Sequence, residues 1–357
     1  MTPRERVLRA IRHELPDRVP TDAICVESMP AIAAHLGIAV EGVPDRLGLD
    51  GRIVGAPYCG EKRYSAAGAP VDEWGGEAWD DYGTAHSYPL AAAESVAEVE
   101  AYAWPDTTDY DYPAAARAAE ALGGTYAVRG PYWVPVFCRV AALMGLEETL
   151  VKLHTSPAVA EGAFAAVAER VGTYCERLLA ACGDHMPILC LGDDFATQRG
   201  LMLSPEAWRR FLKPHYARLF DVAKRAGKVV WFHSCGDVTA VLPDLIEMGV
   251  DVWETVQLHA LPISPVELKR EYGRNLTFFG GVNTQRLPFA RPDEVRDEVR
   301  RCIEALGEGG GYICGPDHHI KPDVSAENTL ALFDTAREFR RVGYTTQNSA
   351  AAAARSV

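Results

Sequence analysis

Residues 228–236, KVVWFHSCG, place an imidazole and a thiol two positions apart at the end of an apolar run. Val229 to Phe232 are β-branched or aromatic, a run of strand length and too short for a helix. Side chains at i and i+2 of an extended chain share a face. His233 and Cys235 can therefore hold one ion or flank one substrate, and Gly236 can take the turn that follows. Against this stands simple packing, because cysteine is among the residues most often buried for its apolar character. Other apolar runs end in the same way. PILCLG leads to Asp193 and Asp194, DVWETV to Gln257, and LTFFGGV to Asn283, while GYIC ends in Cys314 just before Asp317, His318 and His319.

The elements that must position these groups alternate regularly. The chain opens with an amphipathic helix in which Thr2 is the N-cap, Pro3 is N1 and Glu5 completes a capping box; Val7, Leu8 and Ile11 form its buried stripe. Residues 19–26 read as a first strand and 52–58 as a weaker second. The segment 72–83, with Trp74, Trp79 and Tyr82 among glycines and acids, suits a hairpin or lid over an opening, or equally an aromatic clamp on a long loop. From Tyr126 onward strand follows helix: TYAVRG, a helical region to Cys182, PILCLGDD, a helix from Ser204-Pro205 to about Gly227, and then KVVWFHSCG. A helix to Gly249, DVWETVQ, a short helix 265–272, LTFFGGVN, a helix from Pro292 to Gly307, GYIC and a last helix from Ser325 complete the rhythm. The residues after Gly343 carry no core-forming pattern, so 344–357 read as a disordered tail.

Eight strands alternating with helices are the signature of an α/β protein of the (β/α)8 TIM barrel type, here one domain over 1–343. An N-terminal helix precedes the barrel, and long loops cover its C-terminal face. No Gly-x-Gly-x-x-Gly follows the first strand, which removes the main support for a dinucleotide-binding sheet. In such a barrel the chemistry sits just past the C-terminal ends of the strands, where the polar residues above fall. With 357 residues and 48% hydrophobic content the chain can bury a large core. A net charge of -13 without a Lys/Arg run argues against nucleic acid as a partner. Nine scattered cysteines, no signal-peptide pattern and no apolar run of roughly 18 residues predict a cytoplasmic protein that does not enter a membrane.

The stretches LGDDFATQRGLMLSPEAWRRFLKP, WFHSCGDVTAVLPDLIEMGVDVWETVQ, LTFFGGVNTQ and GGGYICGPDHHIKPDVSAEN resemble the uroporphyrinogen decarboxylase superfamily, which includes the methyltransferase components of corrinoid-dependent demethylation systems. The resemblance implies the same barrel. True decarboxylases of this superfamily carry an arginine-bearing motif after the first strand, matched to a polycarboxylate substrate. This chain has TDAICVESMP there, with Asp22 and Glu27, and the expectation is an acidic mouth that disfavours porphyrinogen. His-x-Cys after the fifth strand resembles the zinc-binding pair of the methyltransferase relatives. Counted back from Asn328, the thiol-activating relatives have their second cysteine where this chain has His318, with Cys314 four residues earlier.

The resemblance therefore implies zinc held by His233, Cys235 and His318, or Cys314 in place of the last, with a fourth position open. Asp193, Asp194 or Glu254 could supply a carboxylate. The catalytic candidates are Asp193, Asp194 and His318, with Glu27, Gln257 and Asn283 placing the substrate. The function implied is transfer of a methyl group from a small O-methyl or N-methyl substrate to a corrinoid on a separate partner protein, since the chain has no Asp-x-His-x-x-Gly cobalamin motif. A homodimer is compatible with this reading. Zinc-dependent thiol methylation from methyl-corrinoid, decarboxylation of a smaller acid, and a non-catalytic binding role remain as alternatives.

Overall fold

The computed structural model of the chain describes residues 1–65, 68, 70–76 and 88–339. The expected tail 344–357, together with Trp79 and Tyr82, lies outside them. Seven parallel strands pair in sequence order: Gly51–Ile53, Ala127–Pro131, Ile188–Gly192, Val229–His233, Val252–Val256, Thr277–Val282 and Tyr312–Pro316. The eighth stave is only three residues long. Thr21 bridges Cys314 in parallel, with the Cys314 N–H donating to the Pro20 carbonyl at 2.8 Å and the Asp22 N–H to the Cys314 carbonyl at 3.2 Å. On the other side the Asp50 N–H donates to the Thr21 carbonyl at 2.8 Å. Residues 20–22 thus join the last strand to the first and close the barrel.

The continuous strand expected over 19–26 is corrected to two isolated bridges, at Thr21 and Val26. Pro20 has no N–H to give a ladder, and the Asp22 carboxylate accepts its neighbour Ala23 N–H at 2.8 Å, a local bond that competes with pairing. Two long helical regions are also broken. The first is three helices, Phe137–Met144, Leu146–Thr155 and Pro157–Cys182, separated at Gly145 (φ 88°) and before Pro157. The second splits into Pro205–Phe211 and Lys213–Arg225, where Pro214 cannot donate. No helix of the described residues is long and apolar enough to cross a membrane.

Strand alternation sorts the core into an inside and an outside. Ala127, Ile188, Cys190, Trp231, Val252, Phe279 and Ile313 point inward and pack with Val7 and Ile11 of the helix Pro3–Ile11. That helix plugs the bottom of the barrel, and its capping box forms as the sequence predicts: the Glu5 N–H donates to Thr2 Oγ1 at 3.1 Å and the Thr2 N–H to Glu5 Oε2 at 2.8 Å. Val128, Leu189, Phe232, Trp253, Phe278 and Cys314 belong to the larger outer cluster, against the helices.

An arginine–carboxylate pair lies inside the barrel. Arg129 and Asp22 are bonded through Nη1 and Oδ2, both side chains almost fully buried. Removing one partner of such a pair strands the other charge, at a cost of about 3–5 kcal/mol. Asp22→Ala should therefore lower the urea midpoint of unfolding by that equivalent. An unchanged midpoint would show that the pair does not hold the barrel interior.

Candidate metal centre at the barrel mouth

His233 is the last residue of its strand, Cys235 follows two residues later, and His318 lies two residues beyond the strand Tyr312–Pro316. Their Nδ1/Nε2 and Sγ atoms all lie within 4.8 Å of one another, with Cys235 Sγ 3.4 Å from His233 Nε2. Two side chains hold the turn that carries the thiol. Asp194 Oδ1 accepts the Cys235 N–H at 2.8 Å, and Gln257 Oε1 accepts the Gly236 N–H at 2.9 Å. Gly236 has φ 79°, and a Cβ there would sit 2.4 Å from the Thr197 carbonyl oxygen, so both conformation and space require glycine.

The orientation of His233 is set from inside the barrel. Its Nδ1 lies 2.9 Å from Glu254 Oε1, and the other Glu254 oxygen accepts the Trp231 indole N–H. This pattern assigns the Nδ1–H to the carboxylate and turns Nε2 toward Cys235 and His318 as the atom a metal would take. Burial, together with the neighbouring His233, pushes the His318 imidazole down to about 4, so it is neutral near pH 7. Burial raises the Cys235 thiol, against the opposing influence of His233. Burial opposes the charged form of His233, but Cys235, Glu254 and Asp194 around it hold its imidazole well above the ordinary range, so an incoming cation would displace a proton from His233 as well as from the thiol. Two imidazoles and one thiolate are a donor set suited to zinc. The residues present thus fit the metal, with the Glu254 carboxylate behind one ligand in the usual supporting role.

A cavity of 610 Å³ opens over this group, lined among others by Asp194, Cys235, Gln257, His318, His319 and Lys321. Asp194 is half-buried, its Oδ1 3.6 Å from His233 Nε2. Asp193 is elsewhere, and its reading as a catalytic group is corrected. Its carboxylate accepts the backbone N–H groups of Val136, Phe137 and Cys138 at 2.6–2.9 Å and the Tyr216 hydroxyl at 2.7 Å. It caps the helix Phe137–Met144 and faces the helical layer.

Cys314 is corrected as a metal candidate for a related reason. In its strand Ile313 points into the barrel and Cys314 points out to the helices, fully buried in the outer core. Asn283 accepts the Gln285 N–H at 2.9 Å within its own turn and is not among the residues lining the cavity. Asp317 accepts the Thr284 N–H and hydroxyl at 2.9 and 2.7 Å and lies 3.3 Å from His259 Nδ1.

The acidic mouth is also corrected. Asp22 is spent on Arg129 inside the barrel, and Glu27 lies 3.1 Å from Lys321 Nζ and 3.3 Å from His319 Nδ1. Sequence reasoning missed Tyr132 and Trp133. The Tyr132 hydroxyl is 3.4 Å from His233 Nδ1, and the Trp133 ring packs edge-on to the imidazole at 5.7 Å. Both follow the strand Ala127–Pro131, so the strand-end rule that found the other residues would have found these. Tyr132 adopts φ 88°, a costly conformation for a tyrosine and one that collects at functional sites.

The uroporphyrinogen decarboxylase (URO-D) family model matches residues 81–339. This chain belongs to that family of (β/α)8 proteins. Among its relatives are a uroporphyrinogen decarboxylase of Thermus thermophilus, 28% identical over 146 residues that make up 38% of each chain, and a methylcobamide:CoM methyltransferase, MtaA, of Methanosarcina barkeri, 25% identical over 172 residues, 48% of this chain and 47% of that one. The chain thus spans less than half the length of these curated relatives. A solved methyltransferase from Methanosarcina mazei superposes with a TM-score of 0.64 at 20% identity, over 95% of this chain and 99% of that one, and shares the fold.

Three single variants separate ligand from core. His318→Ala and Cys235→Ala should each lose bound zinc while remaining folded, whereas Cys314→Ala should keep the zinc and lose about 1–3 kcal/mol of stability from the outer core. Metal analysis alongside thermal melts reads both quantities. Zinc retained by His318→Ala and lost by Cys314→Ala would reverse the assignment.

Proposed function

We propose that this protein is a zinc-dependent methyltransferase that moves a methyl group from a small O-methyl or N-methyl substrate to a corrinoid carried by a separate protein. The observation that carries the reading is the convergence of His233, Cys235 and His318 at the barrel mouth, with Glu254 behind His233. Relatives and a fold neighbour named as methyltransferases support it. All nine cysteines are unpaired, as suits a reducing cytoplasm.

A zinc ion held by His233, Cys235 and His318 would supply a Lewis acid, which would make an oxygen or amine a better leaving group for its methyl. The protein's own contribution is to hold and orient. Glu254 fixes the His233 ring, and Asp194 and Gln257 hold the backbone that carries Cys235 while lining the cavity. Asp194 is the group placed to orient a substrate N–H or O–H, or to hold its proton. A second cavity of 360 Å³ lies beyond Trp133, walled by Tyr58, Trp74, Tyr110, Trp133 and Tyr174 together with Glu73, Arg139 and Arg170, and gives room for a mixed aromatic and polar substrate body beside the mouth.

Charge decides between this and the neighbouring readings. Among the described residues, the cavity over the candidate ligands is lined by Asp194, Asp323 and Lys321 and by no arginine, a poor match to a polycarboxylate. A two-histidine, one-cysteine set leaves more positive charge on the ion than a two-cysteine set would. It therefore suits withdrawal of electrons from a leaving oxygen or nitrogen better than delivery of an electron-rich thiolate.

The test is a panel of methyl ethers and methylamines with a reduced corrinoid protein, read by the spectral change on cobalt methylation. Turnover should vanish on chelation and return with zinc, and Glu254→Gln should weaken zinc binding about 10–100-fold. Full methyl transfer by the metal-free protein, or release of carbon dioxide from an acid with no methyl transfer, would overturn the proposal.

A further inference from the structure

A second set of donors sits one residue along from His318. Cys25, Glu27 and His319 present a thiol, a carboxylate oxygen and a ring nitrogen that all lie within 4.8 Å of one another. Backbone pairing puts them there. The Ile320 N–H donates to the Cys25 carbonyl at 3.0 Å, the Glu27 N–H donates to the Ile320 carbonyl at 2.8 Å, and Val26 bridges Ile320 in parallel. Val26 and Ile320 are buried in the outer core. By alternation their flanking residues, Cys25 and Glu27 on one segment, His319 and Lys321 on the other, gather on the opposite face. The His319 ring lies 4.8 Å from that of His318, yet its Nδ1 faces Glu27 at 3.3 Å, away from the first group.

We propose that Cys25, Glu27 and His319 form a second, weaker site for a divalent ion of the zinc class, beside the cavity that covers the first. A thiolate, an imidazole and a carboxylate together select borderline-soft divalent ions over calcium or magnesium. His319 and Lys321 line the 610 Å³ cavity, so one donor of the second group borders the space over the first. Lys321 Nζ stands 3.1 Å from the Glu27 oxygen, and an incoming cation must displace that ammonium. The site is therefore weaker than the first, and removing the lysine charge strengthens it. This inference does not depend on methyl transfer.

Cobalt(II) titration of the metal-free full chain tests it, because thiolate–cobalt charge-transfer absorption reports each cysteine that binds. The expected result is two equivalents per chain, the second weaker. His233→Ala and Cys235→Ser should each lose the tight equivalent and keep the weak one with its thiolate band, while Cys25→Ser should lose the weak one alone. Lys321→Met should tighten the weak site about tenfold or more. Circular dichroism confirms that each variant is folded, and Glu27→Gln, which keeps the side chain's shape, serves if Cys25→Ser is not. One equivalent only, unaltered by Cys25→Ser or Glu27→Gln, would overturn the second site and leave Glu27, His319 and Lys321 as a surface ion-pair cluster. Failure of the first site instead would appear as loss of the equivalent that depends on Cys235, with the Cys25 equivalent intact.

Discussion

A carboxylate at the centre of a barrel must be paired, and the pairing of Glu254 organises this protein. Its two oxygens accept from the Trp231 indole and face His233 Nδ1, two residues of one strand that alternation points to the same side. The Trp231 ring carries the Arg129 guanidinium at 4.9 Å, and Arg129 in turn binds Asp22 on the stave that closes the barrel. A continuous buried column therefore runs from the closure to the candidate metal group. An unpaired charge anywhere along it would cost several kcal/mol. The same requirement that stabilises the interior thus fixes the Nδ1 proton and the direction of His233.

This column explains why Asp22 is not a substrate-facing residue. Arg129 is fully buried on the strand Ala127–Pro131 and cannot reach water, so it needs an anion from another stave of the barrel. Asp22 is that anion, also bonded to its neighbour's N–H. An aspartate near a strand end looks like part of the mouth until the arginine on the next stave but one is in place. Such a partner across the barrel is visible only once the strands are in register.

The alternating pattern and the strand-end residues were legible in the sequence, and they located the barrel, His233, Cys235, Asp194, Gln257 and His318. What was not legible is parity. Asp193 and Asp194 are consecutive, and a one-residue step turns one carboxylate to the helices and the other to the cavity. Ile313 and Cys314 divide in the same way between barrel interior and helical layer. Composition and spacing are the same for either phase, and only pairing with neighbouring strands sets it. The three-residue stave at Thr21 was read as a longer strand because its apolar residues fit one, while the competing bonds of Asp22 depend on tertiary neighbours.

His318 lies in a loop, where a metal ligand would ordinarily be imprecise. Here the loop is pinned on both sides of it. Before it, Asp317 is buried and bonded to Thr284, with the Asp317 N–H donating to the Val282 carbonyl at 2.8 Å. After it, Ile320 is bonded to Cys25 and Glu27 on the segment that follows the barrel closure. A residue between two such anchors would give up little further freedom on binding, so His318 is preorganised as a candidate third donor although it lies outside the strand. The ladder that pins the far side is also the one that gathers Cys25, Glu27 and His319. Any change that loosens this pairing should therefore disturb both donor groups together, whereas substitution of a single donor should disturb only its own.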